Sequence, residues 1–264
     1  MRDFCVFVCS SDNTFDVFSL MSENISKNWP VNDVDIYVGL NSEIAKAPFH
    51  VVSAVPAGWM TELECQIKAL SEQYQYIILL LDDFFFYNKV GFEDLTILIN
   101  EVKERNIDYL RLKPQERSGI GKMFLYVSQM LRGQSIITKL SYSEPYYSSL
   151  QVAIWKRPYL LNLLSQGGSI WEFEHRVVKD SVHYAVTHPV LRYEHLVEKG
   201  KWFKYAPAIL DCESLSEFEK RGFDDSVIQH SRRYKKIKFF IFGYVVFKTR
   251  AMLSRFVAFV KNKN

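Results

Sequence analysis

The feature that most constrains this sequence is the run Ile77-Ile78-Leu79-Leu80-Leu81, which is continuously apolar and is followed at once by Asp82-Asp83. A strand with one face in water alternates apolar and polar residues, so an unbroken apolar run predicts a strand that is covered on both faces. Strands of this kind occur in α/β proteins, in which helices pack on both faces of a sheet. The acidic pair is therefore predicted to lie at the carboxyl end of a central strand.

Strand-like and helix-like patterns alternate on both sides of this run. Further strands are predicted at 4–9, 35–40, 49–52, 109–112 and 151–155, and helices at 15–28, 59–73, 92–105, 157–164 and from 171 onward. Pro158 suits the first turn of its helix. The order predicts an α/β fold with a mixed, mostly parallel, Rossmann-like sheet that is flanked by helices.

Composition and charge predict one catalytic domain, residues 1–225, and a basic tail, residues 226–264. The chain has 264 residues, 48% of them hydrophobic, and no linker rich in proline or glycine divides it. The tail has no Asp or Glu and mixes basic with apolar residues, which predicts an amphipathic helical segment on an anionic membrane. A terminal helix packed on the domain, with its basic face in water, is the alternative. No motif supports binding to nucleic acid.

The four cysteines have neither the spacing of a zinc site nor the density of a disulfide-rich secreted domain, so reduced core thiols are expected. The sequence begins without the pattern of a signal peptide, and no apolar run has the length of a membrane span. We therefore expect a cytoplasmic protein, at the inner face of the membrane if the tail binds lipid.

The pair Asp82-Asp83 is the strongest candidate for chemistry. Ligands of open α/β sheets bind outside the carboxyl ends of the strands. Two adjacent carboxylates repel each other unless a cation or donor groups compensate, and their oxygens suit Mg²⁺ or Mn²⁺ bound to a diphosphate. The alternative is that these residues only cap the following turn.

A family resemblance accompanies three segments, Tyr76–Phe85, Tyr109–Pro114 and Trp171–Glu174. They resemble GT-A-type glycosyltransferases of bacterial capsule and lipopolysaccharide (O-antigen) assembly. The resemblance extends over about residues 1–210 in element order. It departs from the common Asp-x-Asp form, because Asp82 and Asp83 are adjacent, and this departure puts the metal requirement in question.

The resemblance implies roles for individual residues. Asp82 or Asp83 would hold the metal and the donor ribose, and Ser10, Ser11 and Asp12 would lie where the nucleotide binds; plain turn formation is the alternative for these three. Either Glu172 or Glu174 would be the general base that takes the proton of the acceptor hydroxyl. Residues two apart on a helix do not share a face, so only one would face the cleft. An acidic helix N-terminus is the alternative.

Several other residues are weaker candidates. Cations near a leaving diphosphate lower its charge cost, although most surface cations are only solvated. His195 could supply a late metal ligand, but a structural histidine is more common. Tyrosine rings could line an acceptor groove or belong to the core. The candidates are Arg111, Lys113 and Arg117 for phosphate, His195 for metal, and Tyr146, Tyr147 and Gln151 for the acceptor.

The sequence therefore predicts an enzyme, a hexosyltransferase type of glycosyltransferase that transfers sugar from a nucleotide-sugar donor to a cell-surface polysaccharide or a polyprenyl-linked acceptor. No dinucleotide loop, P-loop or hydrolase elbow is present. A sugar nucleotidyltransferase is a second possibility, but residues 10–15 lack the Gly, Lys and Arg of its usual loop. A non-catalytic membrane partner in polysaccharide assembly is a third.

Overall fold

The computed structural model describes residues 2–114, 137–142, 147–176, 178, 180–187, 190–203, 206–210, 218 and 221–224. These residues fall into two compact units that divide between Val197 and Glu198. The domain boundary predicted at 225/226 and the basic segment 226–264 lie outside the described residues. Among the helices of the described part, none combines the length and the apolar character needed to cross a bilayer.

The first unit is built on an eight-stranded sheet with the order β3-β2-β1-β4-β8-β6-β9-β7, and a separate two-stranded sheet joins β5 to β10. The strands are β1 Phe4–Cys9, β2 Ile36–Gly39, β3 Phe49–Val52, β4 Tyr76–Leu81, β5 Phe84–Phe86, β6 Tyr109–Arg111, β7 Ile137–Lys139, β8 Ala153–Lys156, β9 His183–Val186 and β10 Tyr193–His195.

The sheet is mixed and mostly parallel, as the sequence predicted. Strands β3, β2, β1 and β4 are parallel, β8 is antiparallel to both β4 and β6, β9 is parallel to β6, and β7 is antiparallel to β9. Since β8 is antiparallel to both neighbours, β4 and β6 run in the same direction. The carboxyl ends of β1, β4 and β6 therefore lie at one edge of the sheet, together with the start of β8.

Helices cover both faces of this sheet. The helices are α1 Phe15–Asn28, α2 Trp59–Ala69, α3 Phe92–Glu104, α4 Arg157–Leu164 and α5 Ile170–His175. Helices α2, α4 and α5 contribute to one core cluster with β1, β4, β6 and β8. On the opposite face, Phe92 of α3 stacks on Phe4 and Phe18 of α1 packs against Phe49. Burial on both faces explains why Ile77–Leu80 are all apolar.

The aromatic run after the acidic pair forms a strand that the sequence analysis did not predict. In β5, the residue Phe86 donates its N–H to Asn24 Oδ1 (2.7 Å) and accepts a bond from Asn24 Nδ2 (3.1 Å), so a side chain of α1 satisfies this strand edge. On its other edge β5 pairs antiparallel with β10. The turn at Asp82-Asp83 is thus fixed by α1 and β10.

The cysteines fit the expectation of reduced thiols, with one correction. Cys5 and Cys9 are buried, and burial raises the pKa of the Cys9 thiol to about 12. Cys65 is free as well, but it is exposed on α2 instead of lying in the core. Cys212 lies outside the described residues.

The second unit is described by its own short elements. Strands β11 Val197–Glu198, at whose middle the two units divide, β12 Lys201–Phe203 and β13 Phe223–Asp224 form a three-stranded sheet. Helix α6 Ala206–Leu210 follows β12 in the chain. Trp202 and Phe218 are buried and meet edge to face, with their ring centroids 5.1 Å apart.

His183 at the start of β9 is a fully buried titratable residue in the core of the first unit. Its ring stacks on Tyr147 at 3.9 Å, its Nδ1 lies 3.0 Å from the Tyr147 carbonyl, and its Nε2 lies 2.9 Å from the Tyr159 hydroxyl. The neutral ring satisfies both contacts when Nδ1–H donates to the carbonyl and Nε2 accepts from the hydroxyl. Burial lowers the pKa of His183 to about 4.

We expect this histidine to make the protein sensitive to acid. The unfolded chain binds a proton at His183 near its ordinary pKa of about 6.5, whereas the folded chain resists protonation, so stability is lost as the pH falls between these values. The free energy of unfolding should fall by about 2 to 3 kcal/mol from this group between about pH 7 and about pH 4.5. Urea unfolding of the wild type and of His183→Gln at both pH values checks it: equal losses in the two proteins would contradict the assignment.

Candidate functional site

The residues that end β1 and β4 meet at the carboxyl edge of the sheet. The Ser10 hydroxyl donates to Asp82 Oδ2 at 2.7 Å, although 72 residues separate the two in sequence. This contact arises because β1 and β4 are paired in parallel with Cys9 opposite Leu81, so the next residue of each strand comes to the same place. The structure thus brings two of the predicted site residues together.

Asp83 is the more perturbed member of the acidic pair. Its Oδ1 atom is buried and has no hydrogen-bond partner among the residues that the structure describes. Burial, and to a smaller extent the negative charge of Asp82, raises the pKa of Asp83 to about 7. A buried carboxylate oxygen without a donor costs free energy, so this position favours a cation or a donor from a ligand.

Arg111, the last residue of β6, supplies a positive charge at the same edge. It is only 8% exposed, its Nε atom is buried without a hydrogen-bond partner, and it has no ion pair with a carboxylate of the described residues. A buried guanidinium is usually paired, because removing its charge from water is costly. An unpaired one at a strand end indicates a place for an anion.

The charged groups of the sheet edge act on the pKa values of Tyr193 and Tyr109. Burial raises the pKa of Tyr193, while the charge of Arg111 opposes this shift and that of Asp83 adds to it. The pKa of Tyr109 is likewise raised by burial, with opposite contributions from Arg111 and Glu174. Asp83 follows β4, Arg111 ends β6, and Glu174 contacts Leu150 before β8, so all three residues belong to the carboxyl edge of the sheet.

Tyr193 was not among the residues that the sequence analysis selected. Its hydroxyl accepts a bond from Val152 N (3.1 Å) and donates to Gln151 Oε1 (2.8 Å). Lys113 Nζ lies 3.4 Å from the same Gln151 oxygen and 6.0 Å from the centre of the Tyr193 ring. Nothing in the sequence near Tyr193 indicates this role, because it depends on the antiparallel pairing of β10 with β5.

Ser11 and Asp12 are bound to neighbouring loops. Asp12 accepts bonds from the N–H groups of Asn41 (2.9 Å) and Ser42 (3.0 Å) and from the Ser42 hydroxyl (2.5 Å), and these bonds lower its pKa. Ser11 forms a capping box with Thr14. Asp12 thus connects the loop after β1 to the loop after β2, at the edge where Ser10 meets Asp82.

The two candidate bases on α5 differ in what they contact. Glu172 is exposed and accepts bonds from the Ser169 N–H (2.6 Å) and hydroxyl (2.8 Å), which lower its pKa and close a capping box. Glu174 is partly buried, and its Oε1 accepts a bond from Leu150 N at 2.8 Å, in the loop before β8. Only Glu174 is held at the sheet edge, as expected for residues two apart on a helix.

The three residues predicted to bind metal do not converge as a set. His195 in β10 pairs with Phe84, and among the described residues no group of three or more His, Cys, Asp or Glu side chains could hold a metal ion. Asp82 and Asp83 could still supply one or two carboxylate ligands. Mg²⁺ is commonly bound by one or two carboxylates together with substrate phosphates and water, so the acidic pair fits such an ion only alongside a diphosphate.

The acceptor and phosphate candidates are divided by the structure. Tyr147 is 3% exposed and packs against His183, so it belongs to the core instead of a groove. Gln151 lies at the sheet edge, and Lys113 is exposed there. Arg117 and Tyr146 lie outside the described residues.

Comparison with known proteins gives structural similarity without a family. No family model matches the chain, and no curated protein matches it. S. aureus TarS is similar over 71% of this chain and 37% of that chain, with a TM-score of 0.41 and 11% identity. TarS 1–349 in complex with UDP-GlcNAc is similar over 70% of this chain and 58% of that chain, with a TM-score of 0.40 and 13% identity.

A cytidylyltransferase from Leptospira borgpetersenii serovar Hardjo-bovis is similar over 66% of this chain and 69% of that chain, with a TM-score of 0.39 and 10% identity. The chain spans 37% of the length of the TarS chain and 60% of TarS 1–349. Proteins that share an architecture at this level can differ in activity.

Proposed function

We propose that this chain is a nucleotide-sugar-dependent glycosyltransferase whose donor binds at the carboxyl edge of the sheet, between β4 and β6. The observation that carries the proposal is that two buried groups at this edge each have an atom without a partner among the described residues: Oδ1 of Asp83 has no donor, and Nε of Arg111 has no acceptor. Each is costly in the free protein. A nucleoside diphosphate with a bound cation would compensate both.

The residues of this edge suit a donor and an acceptor. Arg111 and Lys113 would contact the diphosphate, because a cation lowers the charge that develops on the leaving group. The Ser10–Asp82 pair would hold the ribose, since a carboxylate accepts bonds from sugar hydroxyls. Glu174, held by Leu150 N, would take the proton of the acceptor hydroxyl as it attacks the anomeric carbon.

A divalent cation remains part of the proposal. Asp82 and Asp83 would hold Mg²⁺ or Mn²⁺ together with diphosphate oxygens, and the ion would supply positive charge against the departing diphosphate. The protein's contribution is the fixed turn between β4 and β5, which keeps both carboxylates at the strand end. His195 has no support as a third ligand within the described residues.

For the acceptor we propose a chemical class and no specific molecule. A saccharide or a polyprenyl-linked sugar would be delivered at a membrane surface, and the basic and apolar composition of residues 226–264 suits peripheral binding to anionic lipid. The enzyme would then act at the cytoplasmic face of the inner membrane. Assembly of capsule or lipopolysaccharide is the corresponding process.

A thermal-shift panel tests the proposal. The proteins are the wild type, Asp83→Asn, and the matched control Asp33→Asn, an exposed aspartate before β2 at the opposite edge of the sheet. The ligands are UDP, GDP, CDP and dTDP with their sugar conjugates, and the corresponding nucleoside triphosphates with a sugar phosphate, each with and without Mn²⁺. A ligand that binds only the folded state raises the melting temperature. We expect a rise with one nucleotide in the wild type and the control, and a smaller rise or none in Asp83→Asn.

Other outcomes distinguish the alternatives. A shift with a nucleoside triphosphate and a sugar phosphate, but with no nucleoside diphosphate, would favour a sugar nucleotidyltransferase. No shift with any nucleotide would contradict an enzyme of either class and would favour a non-catalytic partner. An equal rise in Asp83→Asn with Mn²⁺ present would remove Asp83 from the metal site.

A further inference from the structure

The side-chain amide of Gln151 has an orientation that its neighbours determine. Its Oε1 atom accepts bonds from the Tyr193 hydroxyl (2.8 Å) and from Lys113 Nζ (3.4 Å). Lys113 can only donate, so the atom beside it must be the amide oxygen and Nε2 must point away. No acceptor for Nε2 is present among the described residues. Its two N–H groups are therefore left to donate to water or to a ligand.

The hydroxyl of Tyr193, which orients Gln151, is itself held by the backbone. Its hydroxyl accepts from Val152 N at 3.1 Å, which leaves its proton to donate to Gln151. Its backbone lies in β10, where it pairs with Phe86 of β5. Because hydrogen bonds in a chain polarise one another, the succession from Val152 through Tyr193 to Gln151 holds the amide more firmly than a single contact would.

The amide lies on the basic side of the sheet edge. Gln151 precedes β8, and Ala153, the first residue of β8, is paired with Arg111. Lys113 shares the Gln151 oxygen. Guanidinium, ammonium and amide N–H groups are all donors, and two of the three are cationic, so the oxygen that this group recognises is anionic.

We propose that Gln151 donates from Nε2 to a phosphoryl oxygen of the nucleoside diphosphate, and that Tyr193 is the positioning residue that directs this amide. The inference rests on the function proposed above and adds the residue that recognises the diphosphate. A sugar hydroxyl is the less suitable partner, because it gains less than a phosphate from the neighbouring charges of Arg111 and Lys113.

Calorimetric titration tests the contact with whichever of UDP, GDP, CDP and dTDP the wild type binds most tightly, and with the corresponding nucleoside. Gln151→Met keeps the length of the side chain and removes its donors, and Gln75→Met is the matched control, an exposed glutamine before β4 at the opposite edge. Gln151→Met should weaken diphosphate binding about tenfold to a hundredfold, as for bonds to charged groups. Binding of the nucleoside, and binding by Gln75→Met, should change by less than about twofold.

A double-mutant cycle tests the positioning role. Tyr193→Phe should weaken diphosphate binding by about threefold or more in the wild type and have almost no effect in the Gln151→Met background, because the amide that it directs is then gone. A merely structural role for Tyr193 would give the same loss in both backgrounds. Melting temperatures of all variants confirm that each protein is folded.

The titrations distinguish a failure of the Gln151 contact from a failure of the proposed function. If the wild type binds a diphosphate and Gln151→Met binds it equally well, the amide contact is overturned and the proposed function stands. If Gln151→Met loses nucleoside and diphosphate binding equally, the amide does not recognise phosphate. If the wild type binds no nucleoside diphosphate, the proposed function is overturned, and this inference with it.

Discussion

Replacement of Arg157 by methionine should lower the free energy of unfolding by about 3 to 5 kcal/mol, the largest loss of stability that we expect from a single change. Arg157 begins α4 and is 9% exposed. Its guanidinium donates to five backbone carbonyls at and just beyond the end of α2. These are the carbonyls of Ile67, Lys68, Leu70, Ser71 and Tyr74, at 2.8 to 3.4 Å.

The expected loss of stability follows from the hydrogen bonds that these carbonyls would lose. The last turn of a helix leaves its carbonyl groups without partners, and it carries a partial negative charge that favours a cation. The carbonyls of Ile67 and Ser71 also accept backbone bonds, so methionine would fill the space but leave those of Lys68, Leu70 and Tyr74 without their donor. Each unpaired buried carbonyl costs about 1 to 3 kcal/mol, partly relieved by relaxation. Lysine has three donors on one nitrogen, so Arg157→Lys should give an intermediate loss.

Urea unfolding at neutral pH measures this effect. The matched control is Arg105→Met, which removes an exposed arginine whose Nε contacts Glu101 at 2.7 Å on α3. Pairs of this exposed kind contribute about 0 to 1 kcal/mol, so the control should unfold close to the wild type. If Arg157→Met and Arg105→Met unfold at the same urea concentration, the role assigned to Arg157 is wrong.

Replacement of Arg111 by methionine should have effects of opposite sign on stability and on binding. Among the described residues the buried guanidinium has no carboxylate partner, so an apolar side chain should raise the free energy of unfolding by about 1 to 3 kcal/mol. The same change removes the charged donor that the proposed function assigns to the diphosphate, and it should weaken nucleotide binding about a hundredfold. A structural arginine would show the reverse, with stability lost.

The measurement combines urea unfolding with calorimetric titration of the nucleoside diphosphate that the wild type prefers. Arg105→Met again serves as the control, since Arg105 follows α3 and precedes the amino end of β6, at the edge of the sheet opposite to Arg111. A loss of stability in Arg111→Met together with unchanged nucleotide affinity would contradict a role in donor binding.

The sequence predicted much of the fold because local patterns carry it. The helices at 15–28 and 157–164 and the strand at 49–52 have the predicted bounds, and β4 begins one residue earlier than predicted. The helix expected at 59–73 ends at Ala69, where Arg157 binds its last carbonyls. That ending depends on a residue far away in the chain, which no local pattern can indicate.

The same distinction holds for the candidate site. Asp82, Asp83 and Ser10 could be predicted to meet, because polar residues after parallel strands come to one edge. The strand β5 and its pairing with β10 could not, since pairing between distant segments is decided by packing in the folded state. Tyr193 and the oriented amide of Gln151 follow from that pairing. Roles for Glu172 and Glu174 differ because the helix begins at a capping box that engages only Glu172.

The most direct measurement for the central claim is a crystal structure of the protein with its preferred nucleoside diphosphate and Mn²⁺. The account predicts electron density for the diphosphate at the carboxyl edge of the sheet, with phosphoryl oxygens within hydrogen-bond distance of Arg111 and with the acidic pair Asp82-Asp83 facing it. A nucleotide bound elsewhere, or bound at this edge with Arg111 still unpaired, would contradict the account.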